Sequence, residues 1–471
     1  MRRRLSVRRE HVLQVSDRPT TLSIPDLRAE VSGRVIAPGD ADYDEARQVL
    51  PGGIDRRPAV IVRVADAKDI AQVIGLARDS GLELAVRCGG HSASGFGVTE
   101  GGIVIDLRDL RSLDIDVAGR TAWAGAGLTA AEYSTAMAVH GLATGFGDTG
   151  SVGIGGLTTG GGIGYLVRKF GMTIDALLAA DIVTADGELV RVDADHNPDL
   201  FWAIRGGGGN FGVVTRFKFR LDEVPQIVGG MLLLPATPAT IAGFIAAAEA
   251  APEELSTIAN VMPIPPMPFV PEDKHGKLGI MALMCYAGDT EAGQQALAPF
   301  RALAEPFADM LHPSPYPEIY PPESDEYHPL AAVRTMFIDQ VDQDVAETML
   351  EHVKGSTGQM AVAQLRVLGG AMARVSSDAT AFAHRKSRIL VNLAAIYGSP
   401  DEKPAHEAWV HAFADAVRQD DQGAYVNFVG DEGAAGVHAA YPEATWRRLA
   451  EIKRRYDPEN LFHLNQNIPP A

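Results

Sequence analysis

Cysteine is nearly absent from this chain. Cys88 and Cys285 are the only two thiols among 471 residues, too few for a disulfide framework, and no metal-ligand spacing accompanies them. A reducing compartment, the cytoplasm, is the expectation. Positive charge is also scarce: 42 Lys and Arg stand against 60 Asp and Glu, a net charge of −18. That balance argues against nucleic acid or an anionic membrane surface as the main partner. No apolar run approaches the roughly 18 residues of a membrane span. The basic start, MRRRLSVRREH, is not followed by an apolar stretch of signal-peptide length. Residues 1–24 therefore read as an N-terminal arm, disordered or docked.

What is present suits a globular protein. Hydrophobic residues make up 46% and charged residues 22%, enough apolar material for a sizeable core. The length points to two domains. Short β-rich runs, AVIVRV (Ala59–Val64), LAVRC (Leu84–Cys88) and IVIDL (Ile103–Leu107), open the chain. A helix joins the first two, with Asp66 as N-cap and Gly81 past its end. ADIVTADGELVRV reads as a hairpin turning at Asp186–Gly187. Beyond Val224–Pro225 the glycine clusters give way to strands (GGMLLLP, KLGIMALMCYAG, QLRVLGGAMARV, RILVNLAAIYG) alternating with helices such as PATIAGFIAAAEA and HEAWVHAFADAVRQ. This pattern predicts a sheet with one face covered by helices. After Gln422 come AYVNFVGDE, read as a strand, a helix in ATWRRLAEIKRRYD, and the closing LFHLNQNIPPA.

Three glycine-rich segments dominate: RCGGHSASGFG (Arg87–Gly97), GDTGSVGIGGLTTGGGIGYLVRKFG (Gly147–Gly171) and RGGGGNFGVVT (Arg205–Thr215). Glycine costs conformational entropy, so such density needs a reason. Backbone lying close to a ligand, with N–H groups cradling a pyrophosphate, is one; tight turns in a loop-rich scaffold are another. A rival signal is GAGLTA (Gly125–Ala130), which fits the permissive dinucleotide fingerprint, with Asp148 about 20 residues on. An NAD-dependent dehydrogenase is therefore an alternative. It is weakened because HGLATGFGD does not read as the second strand that the acid should end.

RCGGHSASGFG, IVIDLRDLRSLDID, SVGIGGLTTGGGIGYLVRKFGMTIDALLAADIVTADG, FWAIRGGGGNFGVVT and the tail YDPENLFHLNQNI, in that order from Pro58 to Ile468, resemble the berberine-bridge-enzyme-like FAD oxidases. That family lies within the vanillyl-alcohol-oxidase class with its PCMH-type FAD domain. The resemblance implies an α+β fold. A split FAD-binding domain of two small α/β subdomains (residues 25–224 and 423–471) would enclose a substrate domain (225–422) whose antiparallel sheet is backed by helices. It also implies FAD as cofactor, held by a single covalent bond from His91 to the flavin 8α-methyl. A neutral imidazole is a fit nucleophile near neutral pH. Arg87, Gly89, Gly90, Ser92 and Gly97 would border the cofactor with His91. Gly153, Gly155, Gly156, Gly160, Gly161 and Gly162 would hold the pyrophosphate or approach the ring, with Gly212 and Val213 contributed by the third segment. Some relatives carry a second flavin bond from a cysteine; that position here is Thr149, which excludes it. Val152 stands where the family gates oxygen and matches its oxygen-reactive members.

The family often has a Tyr-x-Asn element facing the flavin, which makes Tyr425 the candidate base and Asn427 its companion. As a base, Tyr425 needs its pKa lowered from about 10; the alternative is a core aromatic with a satisfied hydroxyl. Phe428 replaces a tyrosine common in relatives, which leaves a flavin-retaining, non-catalytic binding protein as a further alternative. Gln364 and Arg366 share a strand face and either line the pocket or pair elsewhere. Asn465 either places an amide at the flavin edge or ties down the tail. The activity implied is two-electron oxidation of a C–OH or C–N carbon in a small organic molecule, a sugar, alkaloid or other secondary metabolite, with O2 reduced to H2O2.

Overall fold

The computed structural model describes residues 22–321, 327–430 and 432–471; the expected N-terminal arm, apart from its last three residues, lies outside them. The first sheet has four strands in the order Arg34–Ile36, Val60–Arg63, Ile103–Asp106, Leu84–Arg87, and its last three strands run parallel. Parallel neighbours need a crossover, and the helix Ala67–Ser80 supplies it. Asp66 caps that helix by accepting from the N–H groups of Lys68 and Asp69, and Gly81 ends it in the left-handed region at φ 69°. The second sheet is antiparallel, in the order Leu113–Asp116, Thr121–Gly125, Val213–Arg220, Leu177–Val183, Leu189–Asp193. The hairpin expected at Asp186–Gly187 is its last pair.

The third sheet has eight strands and is antiparallel throughout. Its central path runs Ile227–Pro235, Leu278–Tyr286, Leu255–Pro263, Met360–Val367, Ile389–Tyr397, Leu330–Ile338. One face buries Leu232, Leu234, Ile280, Leu365 and Val391 against Phe244, Met349 and Phe413, which belong to the helices Pro238–Ala250, Gln343–Gly355 and Lys403–Val417. The other face turns toward the glycine-rich loops at one end and is half-exposed at the other. Among the described residues no helix is long and apolar enough to cross a membrane.

Two local expectations fail. QLRVLGGAMARV is not one strand: it stops at Val367, and Gly369 and Gly370, both at positive φ, turn the chain into the short helix Gly370–Arg374. AYVNFVGDE is not a strand either but a 3-10 turn at Val426–Phe428. The Tyr425 carbonyl accepts from the N–H groups of Phe428 and Val429, so the backbone satisfies itself within the turn and joins no sheet.

The tail returns to the first core. Val426, Val437, Leu449, Phe462 and Ile468 are buried with Phe201, Phe211 and Val213. Lys453, fully buried, fastens this return: its Nζ donates to Asp457 Oδ2 at 2.6 Å and to the carbonyls of Asn210 and Phe462 at 2.7 and 2.9 Å.

Candidate active site

The three glycine-rich segments, the tail and the half-exposed sheet face converge on one cavity of about 390 Å³. That is the size range of small-molecule and cofactor sites.

The first wall is the loop leaving the strand Leu84–Arg87. Arg87, Gly89, Gly90, His91, Ser92 and Gly97 all border the cavity. The two terminal nitrogens of the Arg87 guanidinium, however, are bonded to the protein, while its buried Nε has no hydrogen-bond partner. The terminal nitrogens donate to Asp106 Oδ2 at 2.8 Å and to the carbonyls of Ala46 and Gln48. Burial pushes the Asp106 carboxyl up, yet Arg87 and Arg108 together hold it below its usual value. Arg87 thus anchors the loop base, whereas His91, half-buried, sits at the cavity wall with Nε2 3.0 Å from Ser151 Oγ. Ser151 had no sequence signal beyond lying in the second glycine segment. Cys88 lies beneath the loop, its thiol donating to the Ala126 carbonyl at 2.7 Å, and burial pushes it up to about 11.

The second segment divides. Thr149, Val152, Gly153, Gly155 and Gly156 line the cavity. Gly160, Gly161 and Gly162 do not, contrary to the expectation that they hold the cofactor. Instead they support the wall from behind. A Cβ on Gly160 would overlap Asn427 Oδ1, one on Gly161 would crowd Met172 and the Tyr425 ring, and one on Gly162 would overlap Thr173. These glycines make room for side chains rather than for a ligand. Gly212 and Val213 line the cavity, together with Gly208, Gly209 and Asn210, which the sequence did not single out.

Tyr425 and Asn427 face the cavity from the tail. The Tyr425 oxygen accepts from the Gly162 N–H at 2.8 Å and from Asn427 Nδ2 at 2.9 Å; the same Nδ2 donates to the Leu157 carbonyl at 3.0 Å. Burial pushes the phenol up to about 12, although both hydrogen bonds and the charge of Arg366 work the other way. The lowered pKa expected of a base is therefore not present: an enclosed oxygen loses more hydration as a phenolate than two neutral donors return.

Arg366 and Gln364 do share a face, but neither lines the cavity. Arg366, 4% exposed, pairs with Asp148 at 2.7 Å, donates to Gln364 Oε1 at 2.6 Å and lies over the Phe428 ring at 4.8 Å. Phe428 in turn meets the Tyr425 ring edge-on at 5.1 Å. The residue that the sheet does present is Asn392, which lines the cavity with Val333. Its position could not be read without the strand pairing. Asn465 lines the cavity, and its Nδ2 ties the tail by donating to the Phe462 carbonyl at 3.0 Å.

The cavity fits FAD. A Cβ on Gly156 would meet no atom within 4 Å, and one on Gly209 only Asn465 Nδ2 at 4.0 Å, so side chains at either place would project into the space itself. Asn465 Oδ1 is buried without a hydrogen-bond partner. Walls of bare backbone with a spare amide are what a large ligand bearing phosphates and a polar ring edge requires.

The dinucleotide fingerprint is overturned. GAGLTA follows a strand of the antiparallel second sheet, not a parallel βαβ unit. Its glycines serve packing, since a Cβ on Gly125 would overlap the Leu110 carbonyl and one on Gly127 the Leu107 carbonyl. Asp148, the proposed ribose acid, is bound to Arg366.

Comparison with known proteins agrees with this geometry. Residues 58–193 match the FAD binding domain profile, and residues 424–469 match the profile described as berberine and berberine like. The chain is 31% identical to the FAD-linked oxidoreductase YvdP of Bacillus subtilis over 453 residues, covering 94% of this chain and 99% of that one. It is 29% identical to the (R)-6-hydroxynicotine oxidase of Paenarthrobacter nicotinovorans over 454 residues, covering 93% and 97%. The crystal structure of 6-hydroxy-D-nicotine oxidase from Arthrobacter nicotinovorans superposes with a TM-score of 0.84 at 28% identity, over 94% of this chain and 98% of that one. The chain belongs to the berberine-bridge-enzyme-like family of FAD-linked oxidoreductases and is an FAD-dependent oxidase.

Proposed function

We propose that this oxidase holds FAD through one covalent bond from His91 and removes a hydride from a C–OH or C–N carbon of a small organic substrate. The observation that carries this reading is convergence. His91 from the first loop, Tyr425 with Asn427 from the tail, and Asn392 from the eight-stranded sheet border one cavity. Residues 25–224 and 423–471 serve the cofactor, and residues 225–422 the substrate. A relative named as an (R)-6-hydroxynicotine oxidase supports a small organic substrate. The two thiols, both free and buried, support action in the cytoplasm.

FAD bound here would supply a two-electron acceptor that O2 can reoxidise, with H2O2 as the product. The chain supplies position and proton handling. Gly153, Gly155, Gly156, Gly212 and Val213 offer backbone to the cofactor, and Asn465 an amide. Thr149 has no thiolate to offer for a second bond. Tyr425 is the candidate base for the substrate O–H or N–H proton, because Gly162 and Asn427 both donate to its oxygen and Arg366 adds positive charge nearby.

The test is the absorbance of purified protein before and after acid precipitation, followed by anaerobic addition of candidate alcohols and amines. A yellow pellet and substrate-dependent bleaching are expected. Flavin that no candidate bleaches would favour a binding protein.

A further inference from the structure

We infer that the substrate presents an apolar body to the eight-stranded sheet and a single polar group to Asn392, so that arylalkyl alcohols and amines fit this site and saccharides do not. The inference deepens the oxidase reading and rests on it.

Strand register carries the argument. On the face away from the helices, Thr335, Asn392, Gln364 and Asn260 lie side by side in one row, as Thr335↔Asn392, Asn392↔Gln364 and Gln364↔Asn260. Three of the four are spent on the protein. Thr335 donates to the Val391 carbonyl, Gln364 to Asn260 Oδ1, and Asn260 to the Met281 carbonyl. Gln364 Oε1 is taken by Arg366. Asn392 differs: it borders the cavity, and its Oδ1 has no hydrogen-bond partner. Rotation of that amide offers a ligand either a donor or an acceptor.

The next row away from the Arg366 side is Val333, Ala394 and Val362, and Ile396 follows beyond Ala394. Val333 lines the cavity, and Ala394 and Val362 extend from it along the same sheet face, just outside the lining. Val333, Ala394, Val362 and Ile396 are half-exposed. None of the chain's four tryptophans lines the cavity. A sugar laid here would turn several hydroxyls toward groups that cannot bond them, and each stranded polar group is costly. A hydrocarbon body loses nothing by the same contact and gains by leaving water.

The experiment titrates holoenzyme anaerobically with benzyl alcohol, 2-phenylethanol, 3-phenylpropan-1-ol, 4-phenylbutan-1-ol and cellobiose, by calorimetry and by flavin difference spectra. The arylalkanols should bind with affinity rising up to about fourfold per methylene, and cellobiose more weakly than any of them. Val362→Asp should flatten that increment, and Ile396→Ser should do so more mildly if the first variant fails to fold. Asn392→Ala should weaken every alcohol by roughly 2- to 10-fold, the range of one hydrogen bond, and leave the increment intact. Cellobiose binding more tightly than the arylalkanols, or no dependence on chain length, would overturn the inference. Loss of the cofactor reading would show separately, as protein without yellow colour, while calorimetry still reports the sheet's preference.

Discussion

Asn427 Nδ2 donates to the Tyr425 phenol oxygen across 2.9 Å, and the Gly162 N–H approaches the same oxygen at 2.8 Å. With the phenol pushed up to about 12 by burial, little phenolate exists near neutral pH. The sign follows directly: if the deprotonated form takes the substrate proton, flavin reduction should accelerate about tenfold per pH unit as pH rises toward that value. Tyr425→Phe should slow reduction by roughly 10²–10⁴-fold and abolish this slope. Asn427→Leu should slow it less, by removing one of two donors while keeping the slope. Anaerobic stopped-flow across pH 7 to 10, as about a three-unit window below the phenol value, reads all three. A Tyr425→Phe enzyme that reduces its flavin at the wild-type rate would leave Tyr425 as a core aromatic.

Lys453 tests the return of the tail. It is fully buried with Asp457, and its other two bonds go to the carbonyls of Asn210, in the third glycine-rich segment, and Phe462, in the tail. Lys453→Met leaves a buried carboxylate without its cation, which costs about 3–5 kcal/mol. Asp457 would still accept from the N–H groups of Leu461 and Phe462, so the fold should survive in weakened form. In a unit of this size the thermal midpoint should drop by roughly 10 °C, followed by circular dichroism. A midpoint within a degree of wild type would show that the tail is held by its apolar contacts alone.

The sequence made the loops legible because glycine density is a local signal, and the first and third segments do face the cavity. It could not separate a glycine that admits a ligand from one that admits a side chain. Gly156 is the first kind and Gly160 the second, and the difference lies in Asn427, 267 positions along by number from Gly160. The family's Tyr-x-Asn element singled out Tyr425 and Asn427, but the strand read for AYVNFVGDE is absent: a 3-10 turn brings both to the cavity. Asn392 was hidden because its role depends on register with Thr335 and Gln364, strands apart in sequence. Leu255–Pro263 escaped as a strand for another reason. Nearly every residue in it is buried, and the polar ones, Ser256, Thr257 and Asn260, fall on both faces, so no polar–apolar period of two survives to be read.

Oxygen reactivity should respond to Val152. This side chain is half-buried, lines the cavity and packs at the edge of the first core. If O2 reaches the flavin past it, Val152→Leu should slow reoxidation about tenfold, equivalent to ~1.4 kcal/mol on the barrier. Anaerobic reduction should be unchanged. Mixing reduced enzyme with oxygenated buffer in a stopped-flow instrument separates the two steps, and equal reoxidation rates would remove Val152 from the oxygen path.

Covalent attachment makes the sharpest demand on a single residue. His91 lies at the cavity wall with Nε2 3.0 Å from Ser151 Oγ, so one ring nitrogen is oriented by a neighbour. Thr149, at the position where a second link would form, carries a hydroxyl that does not ionise near neutral pH. One link is therefore expected: denatured protein stays yellow, and a tryptic peptide containing His91 carries the mass of FAD. His91→Ala should release all flavin on acid precipitation yet still bind some beforehand, because the backbone walls at Gly153, Gly156 and Gly209 do not depend on the imidazole. Ser151→Ala should keep the link but lower the fraction of protein that acquires it, by freeing the ring to turn. Thr149→Ala should change neither. An unmodified His91 peptide from flavin-loaded wild-type protein would mean that the cofactor is held by the cavity alone, and the Ser151 contact would then have only a structural role.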